Sequence, residues 1–398
     1  MQYRIVPKNG DKLSALGFGA MRLPTRMGKI DEARATKQIR FAIDKGVNYI
    51  DTAVPYHSGD SERFLGRALK DGYREKVRIA TKLPPWSVKT REDMDKILDI
   101  QLKKLQTDHI DYYLIHSLEA AQWARLKGLG VLEFLEQAKA AGKINNIGFS
   151  FHGDRKTFRE IIDAFDWTFC QIQYNFLDET VQAGTEGLQY AASKNIAVIV
   201  MEPLRGGMLS TKLPKEVETL YRGTGRSAAE WALRWVWDHP EVTVVLSGMN
   251  DEYHIAENLR TAETAWPGSL TPSDKKLIEA VASSYRKLMK VGCTGCAYCM
   301  PCPAGVNIPQ CFAMYNAYSM GGNRIIPRAM YGMSLLGAMT GQKSDASLCR
   351  DCGKCVKACP QKIVIPKELK SVNRTLGGLR TKALMPIVKL MFSAKVKE

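Results

Sequence analysis

The sequence predicts an α/β protein in which a (β/α)8 TIM barrel is followed by a smaller, mainly α-helical domain. Three observations carry this reading. From residue 15 to about 260, eight short apolar runs rich in Val and Ile alternate with amphipathic helical stretches, as parallel strands joined by crossover helices do. A Pro/Gly/Ser-rich joint, WPGSLTPSD, then leads into a helix and a change of composition. Beyond it, between Cys293 and Cys359, stand nine of the ten cysteines. At 398 residues the chain also exceeds what one core usually organises, so the expected division is 1–270 for the barrel and 271–398 for the cysteine-rich part.

The opening segment, YRIVPKNGDKLSAL, carries two short alternating runs around Asn9-Gly10, which predicts a hairpin with a two-residue turn over the N-terminal mouth of the barrel. The strand candidates follow as ALGFGA, VNYID, VRIATK, IDYYLIH, INNIGFS, FCQIQ, AVIVME and VTVVLSG. All but the last two are separated by a helix-period segment such as EDMDKILDIQLKKLQ. Eight alternations over about 250 residues suit a closed parallel barrel better than an open doubly wound sheet. No G-x-G-x-x-G follows any of the strands, which removes the usual dinucleotide-binding turn. Between the cysteine groups, FAMYNAYSMGG and RAMYGMSLLGAM are Met-rich without strand-like alternation, so this part reads as helical.

The N-terminus, MQYRIVPKNG, lacks the apolar core of a signal peptide, and no stretch approaches eighteen uninterrupted apolar residues. No transmembrane segment is expected. The compartment expected is cytoplasmic and reducing, where dense cysteine reads as metal ligation rather than as a disulfide framework.

Catalytic side chains of such barrels sit at the C-terminal ends of strands, so polar residues that terminate apolar runs are the ones to inspect. Asp51 ends VNYID, Tyr56 follows in the next loop, Lys82 ends VRIATK and His116 ends IDYYLIH. Singly, these read as a helix cap, a solvated lysine and satisfied core groups; together they form a proton-transfer set. A phenol of pKa near 10 is a poor acid unless its anion is stabilised, and a buried ammonium does that. Lys82 beside Tyr56 is expected to favour the tyrosinate, with Asp51 keeping Lys82 charged and His116 placed to hydrogen-bond a substrate carbonyl.

The stretches DTAVPYHSGDSE, ATK and DYYLIH resemble the three signature stretches of the aldo-keto reductases, and the resemblance runs over about residues 1–270. It implies that Asp51, Tyr56, Lys82 and His116 form the catalytic tetrad, with Tyr56 protonating the carbonyl oxygen as hydride arrives from a reduced nicotinamide. It also implies an extended cofactor across the barrel mouth. Gly19 and Met21 of GFGAMR would lie beside the nicotinamide, and Ser150 and Gln173 would hold its carboxamide. Met201, Pro203, Leu204 and Gly206 of MEPLRGGML would cover ring and pyrophosphate, and Ser247, Met249, Glu257 and Asn258 would hold the adenosine end. His57, Phe151 and His254 depart from the family pattern, and the last, where NADP-preferring members carry Arg, leaves NADP(H) and NAD(H) both open.

Cys349-x-x-Cys352-x-x-Cys355-x-x-x-Cys359-Pro360 reproduces the bacterial ferredoxin ligand spacing. Cys293-x-x-Cys296-x-x-Cys299-x-x-Cys302-Pro303 is one residue shorter before its fourth cysteine. A zinc site would call for four ligands in a tetrahedron, usually from two knuckles. The pair of motifs resembles an α-helical ferredoxin-like domain with two 4Fe-4S clusters. By that resemblance Cys293, Cys296 and Cys299 would share a cluster with Cys359, and Cys349, Cys352 and Cys355 with Cys302, leaving Cys311 spare. Clusters exchange single electrons whereas a nicotinamide gives two as hydride, so a flavin is a candidate mediator.

The formal charge of +16 reads as diffuse, and two clusters of about −2 each would reduce it. Nucleic acid is therefore not the expected partner. The tail after Pro366, with Lys367, Lys370, Arg374, Arg380, Lys382, Lys389, Lys395 and Lys397 against Glu368 and Glu398, reads either as a solvated end or as a dock for an acidic ferredoxin or flavodoxin, or for an anionic surface. The leading expectation is NAD(P)H-dependent reduction of a small-molecule carbonyl substrate, with clusters for one-electron exchange. The alternative is an electron-transfer flavin or nicotinamide protein in which the clusters carry the activity.

Overall fold

The computed structural model describes residues 1–211, 213–293, 299–320, 324–337, 342–359, 362–379, 381 and 383. Cys296, Pro360, Arg380, Lys382 and the tail from residue 384 lie outside the described residues.

The polypeptide forms two compact units, Met1–Gly206 with Ala229–Pro272, and Gly207–Ala228 with Ser273–Glu398. The segment Gly207–Ala228 is tied into the second unit by its own contacts. Tyr285 donates its hydroxyl to the Met208 carbonyl at 3.1 Å, and Arg226 pairs with Asp274 at 3.6 Å. The division also corrects the reading of the charge as diffuse. The first unit holds 33 Lys and Arg against 33 Asp and Glu, the second 24 against 8, so the whole excess of +16 resides in the second.

In the first unit, apart from a small antiparallel hairpin of Thr25–Arg26 with Lys29–Ile30, the strands are β1 (Tyr3–Ile5), β2 (Lys12–Ser14), β3 (Leu16–Gly19), β4 (Tyr49–Asp51), β5 (Arg78–Leu83), β6 (Ile110–Leu118), β7 (Ile144–Phe151), β8 (Phe169–Gln173), β9 (Ala197–Met201) and β10 (Val242–Ser247). Strands β3 to β10 are parallel, each paired with its neighbours in sequence, and β10 returns to β3 to close the barrel. The two-residue strand period divides their side chains between an interior and a helix-facing layer. Tyr49, Ala80, Tyr112, Phe169, Ile199 and Val244 fill the interior, while Ile50, Ile79, Tyr113, Cys170, Val200 and Val245 pack in the outer layer. Gly148 makes room for that interior, since a Cβ there would sit 2.5 Å from the Phe169 ring.

Two local expectations are corrected. The β1–β2 hairpin does not turn over two residues: the last registered pair is Ile5 with Lys12, and the six residues between form a loop in which the Val6 N–H donates to the Asp11 carbonyl at 2.9 Å. Pro7 has no N–H for the ladder and a fixed φ, so the strand stops there. The loop lies against the N-terminal part of the barrel. Asn9 reaches Asn146 at 2.8 Å, Tyr112 donates to Asp11 at 2.7 Å, and Val6 and Leu13 join the interior core. Second, helices do occupy the β9–β10 connection, at Lys215–Tyr221 and Ala228–Trp237. The latter buries Trp231, Ala232, Leu233, Val236 and Trp237, a face so broad that its 3.6-residue period is masked in sequence.

The second unit is helical, with Pro272–Leu288, Ile308–Met320, Ile325–Ser334, Lys354–Ala358 and Ile365–Leu376. Its core is built from Val306, Ile308, Phe312, Tyr331, Leu369 and Val372, with cysteines of both motifs packed at the edge. No helix among the described residues is long and apolar enough to cross a membrane.

Candidate active site

The strand period decides which side chains meet. Gly19, Asp51, Lys82, His116, Ser150, Gln173 and Met201 all fall at inward positions near the C-terminal ends of β3 to β9, one from each strand. Among them Lys82 is the organiser. Its buried ammonium donates to both Asp51 carboxylate oxygens at 2.8 and 2.7 Å, to the Thr52 carbonyl at 2.8 Å and to the Tyr56 hydroxyl at 3.4 Å. Burial alone would depress its pKa; attraction to Asp51, reinforced by Tyr56, overcomes this and leaves it above the ordinary lysine value.

Tyr56 stands on the loop after β4, where His57 and Ser58 adopt left-handed φ of 51° and 56°. His57 Nε2 accepts the Leu23 N–H at 3.0 Å and so pins this turn to the loop after β3. Burial lowers the His57 pKa, which suits an accepting, neutral ring. The expectation that Lys82 makes the phenol acidic is corrected in its balance. Burial raises the Tyr56 pKa more than the ammonium lowers it, and Asp51 adds to the rise. The phenol therefore holds its proton, with a cation waiting 3.4 Å away for the anion that forms when the proton leaves.

His116 presents its ring edge-on to Tyr56 at a centroid separation of 6.3 Å, with Trp86 at 5.2 Å on another side. Its Nδ1 is buried without a partner. Burial, then the Lys82 charge and His152, push its pKa down to about 2. The ring is thus held neutral near neutral pH, so it can donate or accept one hydrogen bond without bringing a charge. An NMR titration of the imidazole between about pH 8 and 5 is expected to show no protonation of His116, where an ordinary ring titrates near 6.5. The unfolded chain takes up that proton near pH 6.5 and the folded ring only near 2. Its contribution to stability is therefore fully present above about 6.5 and lost progressively toward acid.

The remaining predicted residues divide into exposed, committed and partly committed groups. Ser150 Oγ accepts the Ser117 N–H at 2.7 Å and keeps its own proton to donate. Gln173 donates to Asp178 at 2.8 Å and accepts from Gln182 at 2.7 Å, leaving one N–H and one lone pair. An orphaned ring nitrogen, a hydroxyl proton and half an amide at one barrel end fit the amide of a nicotinamide. Met21 is exposed, Met201, Leu204 and Gly206 are partly or fully exposed, and Pro203 and Met249 are buried. Asn258 is buried and donates to Ser247 at 2.9 Å, and Glu257 is buried beside it in the same helix.

Sequence reasoning missed Gln171, which donates to Asp51 Oδ2 at 3.0 Å from the interior. Its signal was present: in FCQIQ both glutamines share the inward face with Phe169. Trp86 beside His116 was missed as well, and nothing in its loop sequence marks it.

In the second unit Cys302 of the first motif lies close enough to Cys355 of the second to act on its thiol. Burial raises the Cys355 pKa, and Cys349, Cys302 and Cys352 add to the rise. None of the described cysteines forms a disulfide. Among the described residues no three His, Cys, Asp or Glu side chains stand where they could hold a single metal ion. A four-iron cube makes a different demand, one thiolate on each of four irons, and the influence of Cys302, Cys349 and Cys352 on Cys355 suits a ligand set drawn from both segments.

The comparisons agree with this layout. Residues 15–279 match the aldo/keto reductase family, and residues 292–364 match a 4Fe-4S dicluster domain. Aldo-keto reductase YhdN of Bacillus subtilis is 27% identical over 292 residues, covering 62% of this chain and 85% of that protein. L-galactose dehydrogenase of Arabidopsis thaliana is 27% identical over 313 residues, covering 72% and 96%. Among solved structures, the holo form of aldo-keto reductase AKR11C1 from Bacillus halodurans superposes with a TM-score of 0.59 at 26% identity, covering 71% of this chain and 96% of that one. With the barrel, the strand-end residues and a match over two-thirds of its length, the chain belongs to the aldo/keto reductase family of oxidoreductases and carries a C-terminal 4Fe-4S ferredoxin-like domain.

Proposed function

We propose that this oxidoreductase reduces a small carbonyl compound using NADPH or NADH, and that two 4Fe-4S clusters exchange single electrons with a protein carrier. The observation that carries the first half is the Lys82 ammonium, fixed by Asp51 and Thr52 at 3.4 Å from the Tyr56 hydroxyl. Gly19, Met21, Ser150, Gln173 and the 201–206 loop would hold a nicotinamide, which when bound would supply hydride to the carbonyl carbon. Tyr56 gives its proton to the carbonyl oxygen, Lys82 stabilises the phenolate left behind, and Asp51 keeps Lys82 charged. His116 orients the carbonyl as a neutral hydrogen-bond partner.

For the second half, the effect of Cys302 on Cys355 supports one of the exchanged ligand sets, Cys349, Cys352, Cys355 with Cys302; the other, Cys293, Cys296, Cys299 with Cys359, is its counterpart by motif spacing. Cys311, buried with its thiol pKa raised by burial to about 12, stays a core residue. When bound, the clusters supply one-electron chemistry, and an acidic ferredoxin or flavodoxin in a reducing cytoplasm is the partner class. Anaerobically purified protein is expected to contain about eight irons and eight sulfides per chain, and Cys355→Ser about half that, with nicotinamide binding retained in both. Iron near zero, or oxidation of NAD(P)H by no carbonyl compound in a broad panel, would overturn the reading.

A further inference from the structure

We propose that electrons enter or leave the second unit at the Cys352 edge of the second cysteine motif, and that Arg350, Lys354, Lys357 and Lys362 form the dock for an acidic one-electron carrier protein. The proposal rests on the preceding reading that a cluster is bound there, and it assigns that cluster its external face.

Accessibility, local charge and the other motif give three independent supports. Among the described cysteines Cys352 is the one whose side chain is exposed; the others are buried or half-buried. Electron transfer falls steeply with distance, so the thiolate that reaches solvent marks the edge at which a carrier approaches closest. Arg350, Lys354, Lys357 and Lys362 are all exposed in the stretch that contains it. The acidic residue of this stretch, Asp351, is engaged by Lys370 at 2.5 Å, so it does not offset the four. The first motif offers the contrast: no charged residue occurs between Lys290 and Arg324. The second motif thus carries its own exposed cations to steer a charged partner by long-range attraction, and the first, from Cys293 to Cys311, carries none in its sequence. The second unit's surplus, 24 basic against 8 acidic residues, makes that partner anionic. In the transfer itself the reduced carrier loses one electron and the cluster gains it, with no bond made or broken; the reverse transfer balances the same way.

The test uses full-length, iron-loaded protein and a reduced acidic plant-type 2Fe-2S ferredoxin as the probe, with the quadruple variant R350E/K354E/K357E/K362E. A control reverses four exposed barrel lysines, Lys37, Lys45, Lys96 and Lys139. Stopped-flow bleaching of the clusters and calorimetric binding are both read, and iron content certifies each variant. Ferredoxin binding and the second-order rate are expected to fall roughly ten-fold or more in the quadruple variant at low salt and to stay unchanged in the control. High salt should erase the difference. Reduction by the small cation methyl viologen should be as fast as in the parent or faster. Equal losses in both variants, no loss, or attachment of the four residues to anionic vesicles instead of ferredoxin would overturn the dock. Clusters that neither viologen nor ferredoxin can reduce would instead overturn one-electron exchange, so the two failures are distinguishable.

Discussion

Tyr56→Phe is expected to lower the rate of carbonyl reduction by roughly 10²- to 10⁴-fold, while nicotinamide affinity and iron content stay at the parent's level. The size follows from what is removed. Phenylalanine keeps the ring and its edge-on contact with His116 but deletes the one proton that Lys82 is positioned to release. No neighbour replaces it: the His116 ring is held neutral, with its pKa near 2, and Lys82 is committed to Asp51 and Thr52. Steady-state rates with a good carbonyl substrate, compared with a fluorescence titration of NADPH, separate the two quantities. Retention of more than about a tenth of the parent rate would mean that another group delivers the proton.

The largest stability effect is expected from Lys82→Met. The ammonium is 1% exposed and the Asp51 carboxylate 4%, and removing the cation leaves that carboxylate buried with Gln171 as its remaining side-chain donor. Breaking a buried pair in this way costs roughly 3–5 kcal/mol. The double variant Asp51→Asn/Lys82→Met, which removes both charges, should recover most of it. Urea unfolding followed by tryptophan fluorescence reads the barrel, whose Trp123, Trp167 and Trp237 are buried. If the single variant lost less than about 1 kcal/mol, water would have to be reaching Asp51, and the account of Lys82 as a buried organiser would fail.

Much of this was legible in the sequence because parallel strands announce themselves by continuous apolar runs, and all eight barrel strands overlap their expected stretches. Asp51, Lys82 and His116 were legible for a related reason, as polar residues standing where an apolar run should continue. What could not be read was set by quantities that exist only in three dimensions. The sign of the Tyr56 shift depends on how much water burial excludes, and Gln171 acquires its meaning only when β8 faces β4 across the interior. The helix Ala228–Trp237 hid behind its own hydrophobicity. The charge asymmetry needed only counting, but counting by folded unit, whose limits the chain does not print.

The seal that the hairpin loop makes beneath the barrel bears on how the site above it is reached. With Val6 and Leu13 joined to the packed interior from below, solvent and solutes meet the polar strand-end side chains from the opposite rim, where Tyr56 and His116 stand.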